Sequence, residues 1–192
     1  MAILIHLNGP PGVGKSTLAQ RYVADHPGSL NLDIDTVASL IGGWRQDFFG
    51  VLPAARNIAV AMAETHLRSG ADVVLPQLLT VLDEVQRFEL ATERAGAAFV
   101  EIALSVGPVE QMNRFAVKAQ DSEVNLQIDR AVAAEGGVEL LERLRRQLGT
   151  YLTHRPGDLA ARHHRHGRIR VVCADACHPE RRVTVSRRAA RS

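Results

Sequence analysis

Lysine is nearly missing from this chain. It occurs twice, at Lys15 and Lys118, and arginine carries the rest of the positive charge. Aromatic residues fill only 4% of the 192 positions, and the two cysteines, Cys173 and Cys177, stand four apart in "CADACH". No apolar run approaches the roughly 20 residues that a membrane-spanning helix requires. The opening "MAILIHL" is too short for a secretory leader and lacks its basic start and cleavage site. Two thiols cannot build a disulfide scaffold, and no second cluster of matching spacing joins them and His178 in a metal site. A formal net charge of +2 is too small to argue for a nucleic-acid partner. What remains is an ordinary balance, 46% hydrophobic and 23% charged, in a length that suits one domain. The expectation is a cytoplasmic protein with no membrane and no nucleic-acid partner.

Short apolar runs alternate with longer helical patterns. Strands are predicted over residues 3–7, 29–32, 72–75, 98–104 and 169–172. Several are continuously apolar, as strands buried on both faces of a parallel sheet must be. Helices are predicted over 15–25, 36–40, 53–69, 81–95, 109–118 and 138–154. Pro53 and Pro108 open two of them, and Gly70 and Gly96 close two others. The alternation reads as an α/β domain, a five-stranded parallel sheet flanked by helices, over residues 1–178. Residues 108–137 are a possible helical lid. The polar stretch 119–137 within it reads equally as a mobile segment or an ordinary connection. Residues 179–192, with five arginines, read as a basic tail. The "RHHRHGR" cluster at 162–168 reads as a solvated basic helix end rather than a metal or nucleic-acid site. Neighbouring histidines there diverge by about 100° and cannot share one ion.

One segment carries a specific signal. "NGPPGVGKST" follows the first apolar run, and its Gly9-x4-Gly14-Lys15-Ser16 matches the P-loop pattern in full. Gly9, Gly12 and Gly14 let the backbone turn its N–H groups inward onto phosphate oxygens, and the helix that follows offers its positive end to the same anion. Pro10, Pro11, Val13 and Thr17 complete the loop. One of the two lysines thus falls where a phosphate requires an ammonium. Lys15 reaches the β- and γ-phosphates, and the Ser16 hydroxyl is a ligand for Mg²⁺. ATP with Mg²⁺ is the implied cofactor.

Nucleotide-bound Mg²⁺ recruits a further carboxylate. Neither the third nor the fourth strand ends in aspartate, but the second runs into "LDIDT". Strand alternation would put Asp33 and Asp35 on one side, at the carboxyl end of the sheet where ligands bind. Asp33 is the candidate metal partner, and Asp35 the candidate base for an attacking hydroxyl. The alternative for either is an N-cap on the next helix.

"GPPGVGKST" followed by "LDIDTVASLI" resembles the small P-loop kinases: chloramphenicol phosphotransferase, the tunicamycin-resistance ATP-binding proteins, shikimate kinase and gluconate kinase. The resemblance implies the P-loop NTPase fold, an acceptor-orienting acid at Asp35 and a metal-side acid at Asp33. It also implies lid cations over ATP, supplied by "MNRFAVK" as Arg114 and Lys118, with lysine where the usual lid has a second arginine. Arg155, in "THRPGDLAAR", matches the arginine of a segment that precedes the fifth strand in those kinases.

If Asp35 is the base, "GGWRQDFF" lines the acceptor pocket, with Trp44, Phe48 and Phe49 packing on the substrate and Arg45 or Asp47 holding its polar groups. Core packing of the aromatics is the alternative. Arg56 and Gln77 are further candidates by position. These residues suit an ATP-dependent phosphotransferase acting on a small-molecule hydroxyl, such as that of an antibiotic or other natural product, in a monomer or homodimer. The other readings are a nucleoside or nucleotide kinase and a non-catalytic ATP-binding regulator. Neither a guanine-recognition "NKxD" nor an acidic pair after a central strand is present, which argues against GTPase and motor classes.

Overall fold

Side chains alternate between the two faces of a strand, so an unbroken apolar run is stable only with both faces covered. The first run obeys this in the computed structural model, which describes residues 1–107, 111–115 and 122–154 and the backbone of Ile169–Asp175. Strand β1 (Ile3–Asn8) sends Leu4 into one core and Ile5 and Leu7 into another. Four more strands, β2 (Leu30–Asn31), β3 (Val73–Leu75), β4 (Ala98–Ser105) and β5 (Ile169–Asp175), join it in the parallel order β2-β3-β1-β4-β5. Leu4 pairs with Val73 on one side and with Phe99 on the other. Because β3 and β4 flank β1 on opposite sides, the connections diverge at its carboxyl end. That is where open α/β sheets bind ligands.

Helix α1 (Lys15–Asp25) starts directly from the glycine loop and buries Ala19 with Ile5 and Val100. On the other face lies α3 (Phe48–Arg68), whose Leu52, Ala55, Ala59, Ala63 and Leu67 form a buried stripe. Three alanines at four-residue spacing let the helix approach the sheet closely. Helix α4 (Leu82–Arg94) packs beside it and inserts Phe88, which is 1% exposed. Burying a side chain of that size contributes about 1.5–3 kcal/mol.

Three expectations change. The second strand is shorter than 29–32 because α2 (Ile34–Ala38) begins at once, so Asp33 and Asp35 do not lie on extended chain. Helix α3 starts five residues before Pro53, since the Asp47 side chain accepts a hydrogen bond from Gly50 N at 2.8 Å and caps it earlier. The polar stretch 119–137 contains α5 (Glu123–Ala134), capped by Ser122 on Asn125 N at 3.1 Å. Helix α6 (Val138–His154) follows with the predicted bounds. Of the helix predicted over 109–118, residues 111–115 are described and helical. Lys118, Arg155, the 162–168 cluster, Cys177 and the tail 179–192 lie outside the described residues.

Candidate active site

Close approaches at Gly9 and Gly12 and left-handed turns at Gly12 and Gly14 shape the glycine loop. A Cβ on Gly9 would meet the Leu104 carbonyl oxygen at 2.8 Å and Val13 Cγ2 at 2.9 Å. Gly12 and Gly14 take φ +84° and +94°, the left-handed region that side chains disfavour. Val13 is fully buried and anchors the loop on the sheet. Lys15 Nζ donates to the carbonyls of Gly9 at 2.7 Å and Pro10 at 3.0 Å, so its ammonium sits over the loop.

The loop opens onto a cleft of about 1080 Å³. Small-molecule pockets run roughly 300–1,000 Å³, so the cleft lies at the upper end of that range. Pro11, Gly12, Gly14, Lys15, Ser16 and Thr17 line its phosphate end, with Asp33, Asp35 and Thr36 from α2. Asp33 is the N-cap of α2, its Oδ1 accepting from Asp35 N at 3.0 Å, and Asp35 stands in the first turn. The helix start, not strand alternation, therefore brings both carboxylates to the cleft. Among the described residues no group of three or more His, Cys, Asp or Glu could hold a metal by itself. Mg²⁺ needs no such cage, because it takes phosphate oxygens and keeps several waters. The Ser16 hydroxyl and one or two carboxylates in the same cleft fit that donor set.

The other predicted residues divide. Phe48, Arg56 and Gln77 line the cleft, as does Arg114 of the 111–115 turn. Trp44 does not. It is 6% exposed and packed in the core with α2 and α3. Arg45 does not reach the cleft either. It lies over the Trp44 ring at 4.7 Å and donates from Nε to Glu123 Oε1 at 2.8 Å, out on the surface. That pairing raises the Arg45 pKa and lowers that of Glu123. The aromatic loop is thus a plug for the core, and only its end, Phe48 and Phe49, reaches the pocket.

Two contributors escaped the sequence reading. Glu84, in the first turn of α4, pairs with Arg56 at 2.5 Å, and no local pattern joins residues 28 apart. Val124, Ile128 and Val132 of α5 also line the cleft. Their four-residue spacing behind Ser122 was a legible helix signal within a polar composition.

Behind the cleft, Asn8 closes β1 just before the loop. Its amide donates to Leu79 O and Glu101 Oε1, both at 2.8 Å, and its Oδ1 accepts from Leu79 N at 3.2 Å. His6 Nε2 donates to the Gln77 carbonyl at 3.0 Å. These bonds hold the 76–80 segment along the cleft wall.

A family model described as an AAA domain matches residues 4–136, well over half of the chain. The chain belongs to that family. Among solved structures, a candidate kinase from Chloroflexus aurantiacus is similar, with a TM-score of 0.55, 21% identity and coverage of 66% of this chain and 74% of the other. Kti12 of Chaetomium thermophilum, in complex with ADP-AlF3, gives 0.53 and 16%, with coverage of 74% and 79%. The tunicamycin resistance protein of Deinococcus radiodurans gives 0.42 and 16%, with coverage of 78% and 96%. No curated protein matches by sequence. The first two likenesses agree with the parallel α/β fold of this AAA-domain chain. No helix among the described residues is long and apolar enough to cross a membrane.

Proposed function

We propose that the chain is an ATP-dependent phosphotransferase that moves the γ-phosphoryl group to a hydroxyl of a small, largely apolar molecule. One observation carries the reading: a complete phosphate loop, two carboxylates and an apolar wall share a single cleft. A P-loop that only sensed nucleotide would need no apolar wall beside those carboxylates.

In this reading the loop N–H groups and Lys15 hold the β- and γ-phosphates and neutralise charge as it moves toward the leaving oxygen. Mg²⁺, when bound, would screen the phosphates and be held by Ser16 and Asp33. Asp35 orients the acceptor hydroxyl and takes its proton as the new O–P bond forms and the bond to the β-phosphate oxygen breaks. Arg114, from the turn against Gly12, covers the transferring group. Phe48, Phe49 and Leu52 supply an apolar bed for the acceptor, which suits an antibiotic or other natural product better than a highly charged metabolite.

Incubation with labelled ATP, Mg²⁺ and a panel of hydroxylated antibiotics, sugars, shikimate and nucleosides tests this, with Asp35→Asn beside it. Transfer to one acceptor class is expected, reduced about 100-fold or more by Asp35→Asn while ATP binding persists. ATP binding with transfer to none of them favours a regulatory nucleotide binder. Undiminished transfer in Asp35→Asn removes Asp35 as the base.

A further inference from the structure

Three cationic side chains among the described residues line the cleft: Lys15, Arg114 and Arg56. The first two belong to the phosphate end. Lys15 lies over the loop carbonyls, and Arg114 belongs to the helical turn whose Gln111 carbonyl and Phe115 nitrogen crowd Gly12. Arg56 is different. It shares one face of α3 with Phe48 and Leu52, at four-residue spacing, on the cleft wall that also holds Val81, which caps α4, and Glu84 in the first turn of α4. Its charge is already matched, since Nη1 donates to Glu84 Oε1 at 2.5 Å with both side chains about a quarter exposed, at 23% and 24%.

We propose that Glu84 determines acceptor specificity by cancelling the charge of Arg56, so that the acceptor wall selects hydroxyl compounds carrying no phosphate, sulfate or carboxylate group. This rests on the phosphotransferase reading of the cleft. A lone guanidinium on an apolar wall is a ready fork for an oxyanion. With a carboxylate in contact, an approaching anion meets a dipole instead of a net charge, and it must also bear repulsion from Glu84. Repulsion by one acid thus sets selectivity where the remaining contacts, Phe48, Phe49 and Leu52, discriminate only by shape.

The pair also joins α3 to α4, next to the Arg87–Asn57 bond at 2.6 Å, so its variants require a check of folding by circular dichroism and thermal melting. The test uses the full chain saturated with ADP and Mg²⁺, which fills the phosphate loop. Calorimetry then follows phenyl phosphate and the neutral benzyl alcohol with the wild type, Glu84→Gln and the double variant Arg56→Gln/Glu84→Gln. The wild type is expected to bind phenyl phosphate no better than benzyl alcohol. Glu84→Gln should bind phenyl phosphate about tenfold tighter than the wild type does, a gain absent from the double variant. A tenfold preference of the wild type for phenyl phosphate overturns the proposal without any variant, and so does a folded Glu84→Gln that gains nothing. Failure of ADP and Mg²⁺ to bind at all removes the phosphotransferase reading itself, whereas normal ADP binding with a wild-type preference for phenyl phosphate removes only the role of Glu84.

Discussion

A Cβ on Gly12 would lie 2.5 Å from the Gln111 carbonyl oxygen and 3.2 Å from Phe115 N, at a φ of +84°. Gly12→Ala therefore faces backbone on one side and left-handed strain on the other. It should cost about 1–3 kcal/mol in a denaturant titration and displace the 111–115 turn, weakening ADP binding as well. Asp33 does two jobs that substitution can separate. Asparagine still caps α2 but carries no charge, whereas alanine loses both. Asp33→Ala is expected to lower stability by about 1 kcal/mol and Asp33→Asn by a few tenths. If Asp33 also serves the metal, both variants weaken the Mg²⁺ dependence of nucleotide binding to the same degree. A loss confined to alanine would leave Asp33 only the cap.

At the scale of elements, α3 and α4 are tied along their solvent edge by Glu64. Its Oε2 accepts from Arg94 Nη2 at 2.7 Å and its Oε1 from Arg68 Nη2 at 2.7 Å. The hydrogen bond from Arg94, then that from Arg68, lowers the Glu64 pKa from 4.5 to about 2. A depressed folded-state value means that the tie stabilises fully above the unfolded pKa of about 4.5 and is lost as pH falls toward about 2. Glu64→Gln should accordingly flatten the decline of Tm over that acidic interval. The cluster is exposed, so the difference should be small and shrink in salt; an unchanged acid limb would show that the tie contributes nothing. Elements with strong local signals, such as α1 and α6, needed no tertiary information, because glycine, apolar spacing and length agreed. Helix α5 was harder to see because polar residues surround its apolar stripe and only packing against the cleft gives that stripe weight.

Across the whole molecule, one buried carboxylate connects α6 to the strand that feeds the phosphate loop. Glu101, in the middle of β4 and opposite His6, accepts from the Asn8 amide at 2.8 Å and from the Tyr151 hydroxyl at 3.0 and 3.1 Å. Tyr151 belongs to α6, so this bond ties the last described helix to the strand that feeds the loop. Tyr151→Phe deletes the donor and leaves the carboxylate less satisfied, which should cost about 1–3 kcal/mol. Hydrogen exchange in α6 should rise more than in α1; uniform change would show that the bond does not localise that helix. The phosphate loop and the order of strands and helices along the chain were legible, since each depends on residues within a few positions of one another, and the parallel sheet was legible only indirectly, through runs apolar on both faces. The placement of Asp33 and Asp35 was legible in outcome but not in cause, because a helix start and a strand end can point the same carboxylates into one cleft. Trp44 and Arg45 could not be assigned from their own segment: an aromatic beside glycines suits a pocket and a core alike, and the core had room for the ring. Likewise, no local pattern announces that Arg56 meets Glu84 or that Tyr151 meets Glu101, 28 and 50 residues away. Short-range chemistry is written in spacing, but charge pairing and burial depend on which elements come into contact, and only the folded sheet and its helices decide that.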